Sequence, residues 1–480
     1  MKLDIMDLSG GQNSKSSPIF LRNNECELIQ NYHLDNLGSL TKRNGLVVLI
    51  GVVSDATVKD IQGMYYFANQ SGTDVSNILV ACRKSGANST IYKVVSNAWS
   101  ASKTETVAST TPIFCSFLDY VFRTNGLEVM SSSVDLAAWA AVNCLTVILP
   151  FYCCVWEDRV YALSSTLLPS RIWWSDLPSA GSIAWGANNW ADINPDDNDK
   201  ITWGEPFGKV MLIFKENAVY RWTFGQVEPD KIISVGTPQG RTVKQTQGIC
   251  FFANKYGVYA FDGSSQPVLI SRKVQPFIDA IPSLTNLRAE IDNDHYYLYI
   301  GDVTVKGETY NNTMLVYTIS AKAWHIETYP FEITYMARFQ NKTLHTATAV
   351  YDNIYLGDEN GFVYRKGTGT SDYLGTTAKP ISGRILTKEY PLADFPKTSD
   401  LKNLYFLAQK AIGSKVNYRI DRGDWVGWKD LKGRITDGRL AGRARTIQFS
   451  ITDYSTQTSQ IEGWSVELEG EKQIRRKGND

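Results

Sequence analysis

The stretch GICFFANKYGVYAFDG, from Gly248 to Gly263, holds two short runs of apolar and aromatic residues separated by Asn254 and Lys255. Aromatic and β-branched residues favour the pleated, half-buried surface of a β-strand. The polar break between the runs is typical of a turn, so the stretch is predicted to form a β-hairpin. A single hairpin cannot bury its apolar face in water, so we expect it to stack on others of its kind.

The pattern inside this hairpin recurs along the chain: a turn residue is followed within a few positions by an aliphatic and then an aromatic residue. The aromatic members of the repeats are Tyr92, Phe122, Tyr161, Tyr220, Tyr259, Tyr317 and Tyr364. Their mean spacing of about 45 residues is the length of a four-stranded propeller blade. The repeat predicts an all-β fold with a β-propeller of about seven blades, although the irregular gaps also fit six or eight. Since Val-Tyr pairs occur in any all-β protein, a set of β-sandwiches stays open as the alternative.

The composition of the sequence changes after Gly367. The stretch GTGTSDYLGTTAKP is rich in Gly and Thr, which predicts a linker over residues 368–380. Strand-length runs separated by turns follow it, and they predict a C-terminal β-sandwich domain over residues 381–480. The propeller is accordingly assigned to residues 47–367.

Composition narrows the class of protein. The 480 residues are 43% hydrophobic and 12% aromatic, which is enough for a large core and argues against a disordered chain. Lys and Arg together number 49, as do Asp and Glu, so the chain lacks the basic excess of proteins that grip nucleic acid. Passing contact with DNA remains compatible with this balance. The seven Cys are irregularly spaced, and the N-terminus has no apolar signal core, which favours buried thiols in a reducing compartment.

One uncharged stretch is long enough to cross a membrane. It is LAAWAAVNCLTVILPFYCCVW, from Leu136 to Trp156. Asn143 and Pro150 interrupt it, and acidic rather than basic residues flank it. Membrane segments are usually anchored by Lys or Arg, so strands split at Pro150 are the preferred interpretation and a membrane segment is the alternative.

The sequence offers little that predicts catalysis. Its four histidines, His33, His295, His325 and His345, are far apart, and none is within metal-ligand spacing of another. No GxSxG elbow and no phosphate-binding glycine loop occurs. The sequence therefore predicts no enzyme activity, no cofactor, no catalytic residue and no metal site.

Two groups of carboxylates are candidates for a calcium site or a catalytic site. The stretch NPDDNDK, Asn194 to Lys200, suggests a calcium loop, but it lacks the Gly and the closing Glu that such loops need, so a solvated acidic loop is predicted. Four aspartates beside predicted strand ends could converge as a glycosidase pair, although turn aspartates explain them equally well. They are Asp192, Asp262, Asp302 and Asp358.

The N-terminal region contains a small predicted hairpin. In LIQNYHLDNLGSLTKRNGL, Leu28 to Leu46, polar and apolar residues alternate around a turn near Gly38, and a polar arm precedes it. Residues 1–46 are therefore predicted to be a docking arm and hairpin outside the compact core. Apolar residues beside two cations suit an interface, which predicts assembly contacts for Leu34, Leu37, Leu40, Lys42 and Arg43. The alternative is that Leu28 to Val48 closes the propeller as an ordinary edge strand.

The same region carries a resemblance to a known group. The stretch LRNNECELIQNYHLDNLGSLTKRNGL, residues 21–46, resembles the N-terminal signature of tail proteins from short-tailed bacteriophages. Leu40-Thr41-Lys42-Arg43-Asn44-Gly45 is similar to their Leu-x-Lys-Arg-x-Gly element. The stretches EDRVYALSS, DKITWGEPFGKVMLIFKENAVYRW and GRARTIQFSITDYSTQTSQIEGWSVELE also look like that group, in the same order. The best-matching members are tail hub or tail nozzle proteins, also known as packaged-DNA stabilisation proteins.

The resemblance implies a structural virion protein without catalysis. Such proteins form an oligomer, expected to be a homohexamer, below the head-to-tail adaptor protein, and their propellers surround a channel for DNA ejection. The implied partners are the adaptor, tail fibre or tailspike proteins, needle or plug proteins, and viral DNA in passing, with no stable membrane insertion. The implied location is the virion tail, after assembly in the host cytoplasm. Two rivals stay open: a receptor-binding or polysaccharide-degrading tail protein, which would cluster carboxylates on one propeller face, and a cellular propeller scaffold.

Overall fold

A computed structural model of the chain describes most of the sequence. The described residues are 2–34, 38–50, 58–68, 76–84, 87–95, 98–107, 111–142, 148–226, 229–263, 266–340, 352–394 and 397–473. Strands dominate these ranges, and the α-helix they contain, α1 (Gln275–Asp279), is a little over one turn long. No helix within them is long and apolar enough to span a membrane. The all-β prediction is confirmed.

The N-terminal region contributes short strands to several different sheets. They are β1 (Lys2–Ile5), β2 (Gly11–Gln12), β3 (Glu25–Gln30), β4 (Tyr32–Leu34), β5 (Leu40–Lys42) and β6 (Leu46–Ile50).

Across the described residues, six separate four-stranded antiparallel sheets give the chain a six-bladed β-propeller arrangement. The first holds β7 (Val58–Ala68), β8 (Ser76–Lys84), β9 (Ala87–Val95) and β10 (Ala98–Thr104). The second holds β11 (Ile113–Phe117), β12 (Tyr120–Thr124), β13 (Ser131–Ser133) and β14 (Ala140–Ala141). The third holds β15 (Tyr152–Trp156), β16 (Arg159–Leu163), β17 (Arg171–Trp174) and β18 (Trp190–Asp192).

The later sheets follow the same up-and-down order. The fourth holds β19 (Ile201–Phe207), β20 (Val210–Lys215), β21 (Val219–Trp222) and β22 (Asp230–Ile233). The fifth holds β23 (Lys244–Thr246), β24 (Ile249–Asn254), β25 (Gly257–Phe261) and β26 (Val268–Leu269). A four-stranded meander then forms from β27 (Arg288–Ile291), β28 (His295–Val305), β29 (Glu308–Thr318) and β30 (Ala323–Thr328). The sixth separate sheet holds β31 (Ile333–Gln340), β32 (Asp352–Asp358) and β33 (Val363–Lys366), and its fourth strand is β6 from the N-terminal region.

The aromatic repeat found in the sequence marks these units. Each of its seven aromatic residues lies in a different one: six in the separate sheets and Tyr317 in the meander β27–β30. Five of them lie on the third strand, whereas Phe122 and Tyr161 lie on the second. The strand shift explains the irregular gaps between the repeats. The predicted hairpin Gly248 to Gly263 is β24 and β25, with Asn254 paired to Gly257.

The C-terminal part supplies the strands of two further large sheets and one hairpin. They are β34 (Ser371–Leu374), β35 (Thr377–Pro380), β36 (Gly383–Thr387), β37 (Tyr390–Pro391), β38 (Lys397–Gln409), β39 (Ser414–Ile420), β40 (Val426–Asp430), β41 (Ile435–Arg439), β42 (Arg443–Ala444), β43 (Thr446–Asp453) and β44 (Gln460–Gln473).

Both large sheets mix strands from the two ends of the chain. One has eleven described strands in the order β27-β28-β29-β30-β3-β36-β43-β39-β40, with β2 beside β3 and β37 beside β43. The other has seven described strands in the order β4-β5-β44-β38-β41, with β1 beside β44 and β42 beside β38. Their inner faces share one core, where the rings of Tyr390, Phe406, Phe449 and Trp464 meet.

These pairings correct two expectations. Residues 1–46 were expected outside the compact core, yet β1, β3 and β5 are hydrogen-bonded to C-terminal strands and Leu8 and Ile29 are fully buried. Apolar residues on short strands stabilise a fold only when another sheet covers them, and here the C-terminal strands do so. Residues 368–380 were expected to be a plain linker, but β34 and β35 form a hairpin within it.

The apolar stretch that was long enough to cross a membrane is divided between two sheets. Ala140–Ala141 is the last strand of the second sheet and is exposed, whereas Tyr152–Trp156 is the first strand of the third sheet and is largely buried. Residues 143–147 lie outside the described residues. The prediction of strands is thus confirmed for both described ends of the stretch. Of the two strands, only Tyr152–Trp156 has buried residues.

Candidate functional site

The candidate site is the junction where the N-terminal hairpin β4–β5 lies between the propeller sheets and the C-terminal sheets. Its first element is a sharp corner at Asn31, which separates β3 in the eleven-stranded sheet from β4 in the seven-stranded sheet. Asn31 has a φ of 60°, in the left-handed region that Asn tolerates better than most residues. The corner lets the chain leave one sheet and enter the other within one residue.

The side chain of Asn31 is fully bonded. Its Oδ1 accepts hydrogen bonds from Arg43 Nε and from the backbone N–H of Thr328, both at 2.9 Å. Its Nδ2 donates to Thr328 Oγ1 at 3.0 Å and to the carbonyl of Ser382 at 2.6 Å. One side chain thus connects the N-terminal hairpin, the end of the meander β27–β30 and the strand β36 region.

Arg43 is the second element of the junction. Its five N–H donors all have acceptors: Asn31 Oδ1, the carbonyls of Asn44 and Thr328, and the two carboxylate oxygens of Asp372. The guanidinium also lies over the ring of Tyr329, 4.5 Å from its centroid. Burial lowers the pKa of Arg43, but Asp372, Tyr329 and Glu327 together outweigh it, so the net shift is upward and the group stays charged.

Lys42 is buried on the opposite side of the hairpin. Its Nζ lies 3.4 Å from Asp453 Oδ1 and donates to the carbonyl of Ser455 at 2.7 Å. Tyr32 OH donates to the other oxygen of Asp453 at 3.3 Å. Burial lowers the pKa of Lys42 in spite of the nearby carboxylate. The two cations of the hairpin therefore bind two different C-terminal segments.

The hairpin ends at Gly45, where two backbones approach closely. A Cβ atom at this position would lie 2.0 Å from the carbonyl oxygen of Ser371. The N–H of Gly45 donates to Gly369, and the N–H groups of Gly367 and Thr368 donate back to Gly45. A residue with a side chain cannot occupy this position without moving β34.

A group of ionisable side chains lies next to the hairpin, where β4, β28, β30 and β33 meet. His33 Nε2 is 2.6 Å from Glu327 Oε1, and Lys366 Nζ is 3.0 Å from the same oxygen. Tyr329 OH donates to Glu327 Oε2. The ring of His33 is 4.8 Å from that of His325 and 5.5 Å from that of His295, measured between centroids. Three of the four histidines in the sequence are therefore neighbours.

The charge states in this group follow from burial and pairing. Burial alone would raise the pKa of Glu327, but Lys366, the hydrogen bond from His33 and the charge of Arg43 hold it well below its usual range. Burial lowers the pKa of His33 more than Glu327 raises it, and lowers that of His325 much further. At neutral pH the group thus contains the Glu327 carboxylate and the neutral imidazoles of His33 and His325.

This group could hold a metal ion. One ligand atom each from His33, His325 and Glu327 lies within 4.8 Å of the others. A cavity of about 280 Å³ reaches His33 and is also lined by Arg43, His295, Tyr297 and Lys366. Sequence reasoning missed the group because its members are separated by up to 294 positions. The only sequence signal was the pair His325-x-Glu327, which places both side chains on one face of a strand.

The residues predicted as an assembly surface lie inside the chain. Leu34 and Leu40 are in the core between the large sheets, and Lys42 and Arg43 are buried in the ion pairs described above. Leu37 lies outside the described residues. The four described side chains cannot contact another molecule in this arrangement, because the C-terminal strands already cover them.

The weighed carboxylates have local partners. Arg171 donates to both oxygens of Asp192 at 2.7 Å, and Asp302 accepts from the N–H of Asn312 at 2.7 Å. Asp358 accepts from the backbone of the turn that follows it, and Asp262 lies after β25 on another sheet. The four aspartates thus lie in or next to four different sheets.

The loop Asn194 to Lys200 is more than a solvated acidic segment. Asp197 Oδ1 lies 2.6 Å from the ammonium of Lys215, a fully buried lysine, and its Oδ2 accepts from Tyr220 at 2.7 Å. Asp199 accepts the backbone N–H groups of Glu216 and Asn217. The loop is solvated as expected, since five of its seven residues are exposed, but the half-buried Asp197 and Asp199 also stabilise the strand end at β20.

A second cavity, of about 490 Å³, lies where the first strands of the propeller sheets meet. Its lining includes Tyr65, Phe114, Trp203, Lys244, Glu290 and Ala337. Lys244 Nζ is 3.1 Å from Glu290 Oε2. Nearby, Trp203 Nε1 donates to Glu205 at 2.9 Å, and burial raises the pKa of Glu205 to about 7. The lining of this cavity thus includes both a basic and an acidic side chain.

No protein family matches the sequence, and no curated protein does. Solved structures with a similar fold include three propeller-sized chains. The designed protein Ika8 has 8% identity and a TM-score of 0.40, covering 76% of this chain and 99% of that one. YCF48 bound to a D1 peptide has 10% identity and a TM-score of 0.41, covering 68% and 96%. BamB from Moraxella catarrhalis has 10% identity and a TM-score of 0.42, covering 68% and 97%. At these values the comparisons carry no argument about what the chain does.

Proposed function

We propose that this chain is a structural virion protein of the tail nozzle or tail hub class. In that role six copies would form a ring below the head-to-tail adaptor, retain the packaged DNA and provide the channel through which it leaves. The observation that carries the proposal is the position of the element Leu40 to Gly45, on which the resemblance depends. Its Lys42, Arg43 and Gly45 fasten the C-terminal segments to the hairpin, so the element has an architectural use within the chain.

The finer architecture that we propose is a seven-bladed propeller joined to a C-terminal β-sandwich. The meander β27–β30 would be the remaining blade, because its first strand β27 contacts the first strands β23 and β31 of the sheets on either side. The strand β31 in turn contacts β7, which closes the ring. The N-terminal strand β6 completes the last sheet, as in propellers whose two chain ends share a blade.

Charge supports a channel protein more than a protein that grips DNA. The chain is neutral overall, so counterion release would contribute little to binding of duplex DNA. The junction adds rigidity, because buried ion pairs and the close backbone contact at Gly45 hold the N-terminal hairpin against the C-terminal segments around Asp372 and Asp453. A nozzle under internal pressure needs subunits that do not change shape.

Among the described residues of the N-terminal region, the most exposed large apolar side chain is Phe20, in the short turn Pro18–Phe20. Phe20 is 83% exposed, whereas Met6 is 47% exposed. We therefore propose that this turn, and not the hairpin, contacts the adaptor. An exposed phenylalanine contributes binding energy when a partner covers it.

Negative-stain electron microscopy and sedimentation of the purified chain test the proposal. A ring of six subunits with a central channel is expected, either alone or after addition of adaptor-bearing, DNA-filled heads. A chain that stays monomeric and leaves such heads leaking DNA would contradict it. Cleavage of a capsular polysaccharide by the chain would favour the tail-depolymerase alternative instead, for which the four aspartates on different units give no support.

A further inference from the structure

The junction contains a buried histidine whose polar atoms are unsatisfied. Both ring nitrogens of His325 lack a hydrogen-bond partner, and the residue is fully buried. Buried polar atoms nearly always have a hydrogen-bond partner. The two unbonded ring nitrogens of His325 therefore point to a ligand-binding role for this residue. Glu327, two residues further along the same strand, projects from the same face.

A third potential ligand comes from the other side of the junction. His33 lies on β4, and its Nε2 already contacts Glu327 Oε1 at 2.6 Å. Its side chain is 25% exposed, whereas that of Glu327 is fully buried. The three ligand atoms, one from each residue, lie within 4.8 Å of one another.

We propose that His33, His325 and Glu327 bind a divalent transition metal ion, with Zn²⁺ as the best-suited ion, and that the metal fastens β4 to β30. Two imidazoles and one carboxylate form a donor set that zinc accepts in proteins. The site would link the N-terminal hairpin to the meander β27–β30, and it is independent of the function proposed above.

Metal binding would require the ligand atoms to move in two directions. Zinc bonds of about 2.0–2.2 Å in a tetrahedron place ligand atoms about 3.3–3.6 Å apart, so a pair that now lies up to 4.8 Å apart would have to close by about 1 Å. His33 Nε2 and Glu327 Oε1 would therefore separate by a fraction of an ångström from their present 2.6 Å. The proton on His33 Nε2 would move to Nδ1 by tautomer exchange, so that Nε2 gives its lone pair to the metal.

The site can be approached from the side of His33. The cavity of about 280 Å³ that His33 lines is large enough for a water molecule, whereas His325 and Glu327 are fully buried behind it and do not line it. Lys366 is the competitor, since its Nζ lies 3.0 Å from Glu327 Oε1. Its ammonium also lies 4.5 Å from the ring centroid of Tyr297, so it keeps a partner when the metal takes its place.

The test uses the full chain after treatment with a chelator. Zinc is titrated in competition with a chromophoric chelator, and cobalt serves as a spectroscopic probe. We expect one zinc per chain at micromolar affinity or tighter, visible cobalt bands of a tetrahedral site, and a higher thermal midpoint with zinc. His33→Gln and Glu327→Gln should each weaken binding by at least about 100-fold, because even outer-shell partners cost 10- to 100-fold.

Glu389→Gln is the matched carboxylate control, since Glu389 is also buried but pairs with Arg422 outside this group. It should leave the affinity unchanged. His33→Gln keeps the test valid if the buried variants fail to fold, because His33 is partly exposed. A folded wild-type chain that binds no zinc overturns the proposal, as does a zinc site that survives both His33→Gln and Glu327→Gln. A cysteine-to-cobalt charge-transfer band would assign the metal to the thiols and also overturn it.

Discussion

Arg43 Nη1 donates to Asp372 Oδ1 at 2.8 Å across 329 positions of sequence, and both side chains are buried. The pair joins the N-terminal hairpin to β34. Charged side chains that are buried together depend on each other, because removal of one leaves the other without solvent or partner. The pair is therefore a sensitive point of the junction.

Arg43→Met is expected to lower the free energy of unfolding by about 3–5 kcal/mol, because Asp372 would remain buried and unpaired. Arg43→Lys should recover only part of this, since Lys keeps the charge but cannot reproduce five planar donors. The double variant Arg43→Met with Asp372→Leu should be more stable than Arg43→Met alone. Chemical denaturation followed by tryptophan fluorescence measures all three. Equal stability of Arg43→Met and the wild type would show that the pair contributes nothing.

A second prediction concerns the corner at Asn31. Asn31→Gly keeps the backbone conformation available but removes the acceptor of Arg43 Nε and of the Thr328 N–H. We expect a loss of about 1–3 kcal/mol, the cost of unsatisfied buried donors. Asn31→Ala should lose about 1–2 kcal/mol more, because a Cβ disfavours the left-handed region. If the Gly and Ala variants unfold at the same denaturant concentration, backbone strain is not important at this corner.

Truncation tests whether the first residues belong to the core. Removing residues 1–17 deletes β1, β2 and the buried Leu8, so we expect a loss of at least about 3 kcal/mol. Lys2→Ala is the control within the same segment, since its ion pair with Asp4 is exposed and should contribute almost nothing. A truncated chain with an unchanged thermal midpoint would restore the earlier expectation of a detached arm.

The sequence predicted the propeller well because its signal is local. Each repeat, such as Val258-Tyr259 or Val363-Tyr364, lies inside one hairpin whose residues are close in sequence. Alternation and turn residues are sufficient to recognise such a unit. The exact number of separate sheets was less accessible, since β30 pairs with β3, about 300 residues away, and this pairing merges one meander with a larger sheet.

The junction could not be predicted from the same signals. The partners of Lys42, Arg43 and His33 are Asp453, Asp372 and Glu327, which come from three distant segments. Apolar residues beside cations fit an interface with another molecule as well as one within the chain, and only the pairing of β5 with β44 decides between them. The sequence thus indicates an interface correctly, but its partner is the C-terminal part of the same chain and not another molecule.

Glu205, near the cavity between the first strands of the propeller sheets, gives a prediction for pH. Burial raises the pKa of Glu205 to about 7 in the folded chain, above its unfolded value. The protonated form is therefore favoured by folding. The stabilisation of the folded chain by protonated Glu205 is complete below the unfolded pKa of about 4.3. It is lost as the pH rises through 7.

Glu205→Gln should accordingly be more stable than the wild type at pH 8, by about 1–2 kcal/mol after allowance for partial exposure, and nearly equal to it at pH 4.5. Gln keeps an acceptor for Trp203 Nε1. His325 contributes equally to both proteins, so the difference between their thermal midpoints across pH isolates Glu205. A difference that does not change between pH 4.5 and 8 would contradict the raised pKa.

The last prediction separates folding from docking at Phe20. Its ring is 83% exposed, so Phe20→Ser removes almost no buried area and should leave the thermal midpoint unchanged. Under the proposed function it should nevertheless reduce attachment to DNA-filled heads that carry the adaptor, in an extract lacking the wild-type chain. Leu167→Ser is the matched control, because Leu167 is also 83% exposed but lies on the third propeller sheet, between β16 and β17.

The two variants distinguish a specific contact from a general loss of surface hydrophobicity. A loss of attachment with Phe20→Ser but not with Leu167→Ser would locate the adaptor contact at the turn Pro18–Phe20. Equal attachment by both variants would mean that this turn is not the docking element. Since Leu34, Leu40, Lys42 and Arg43 are buried, the adaptor would then be expected to contact a surface formed by the propeller or the C-terminal sheets.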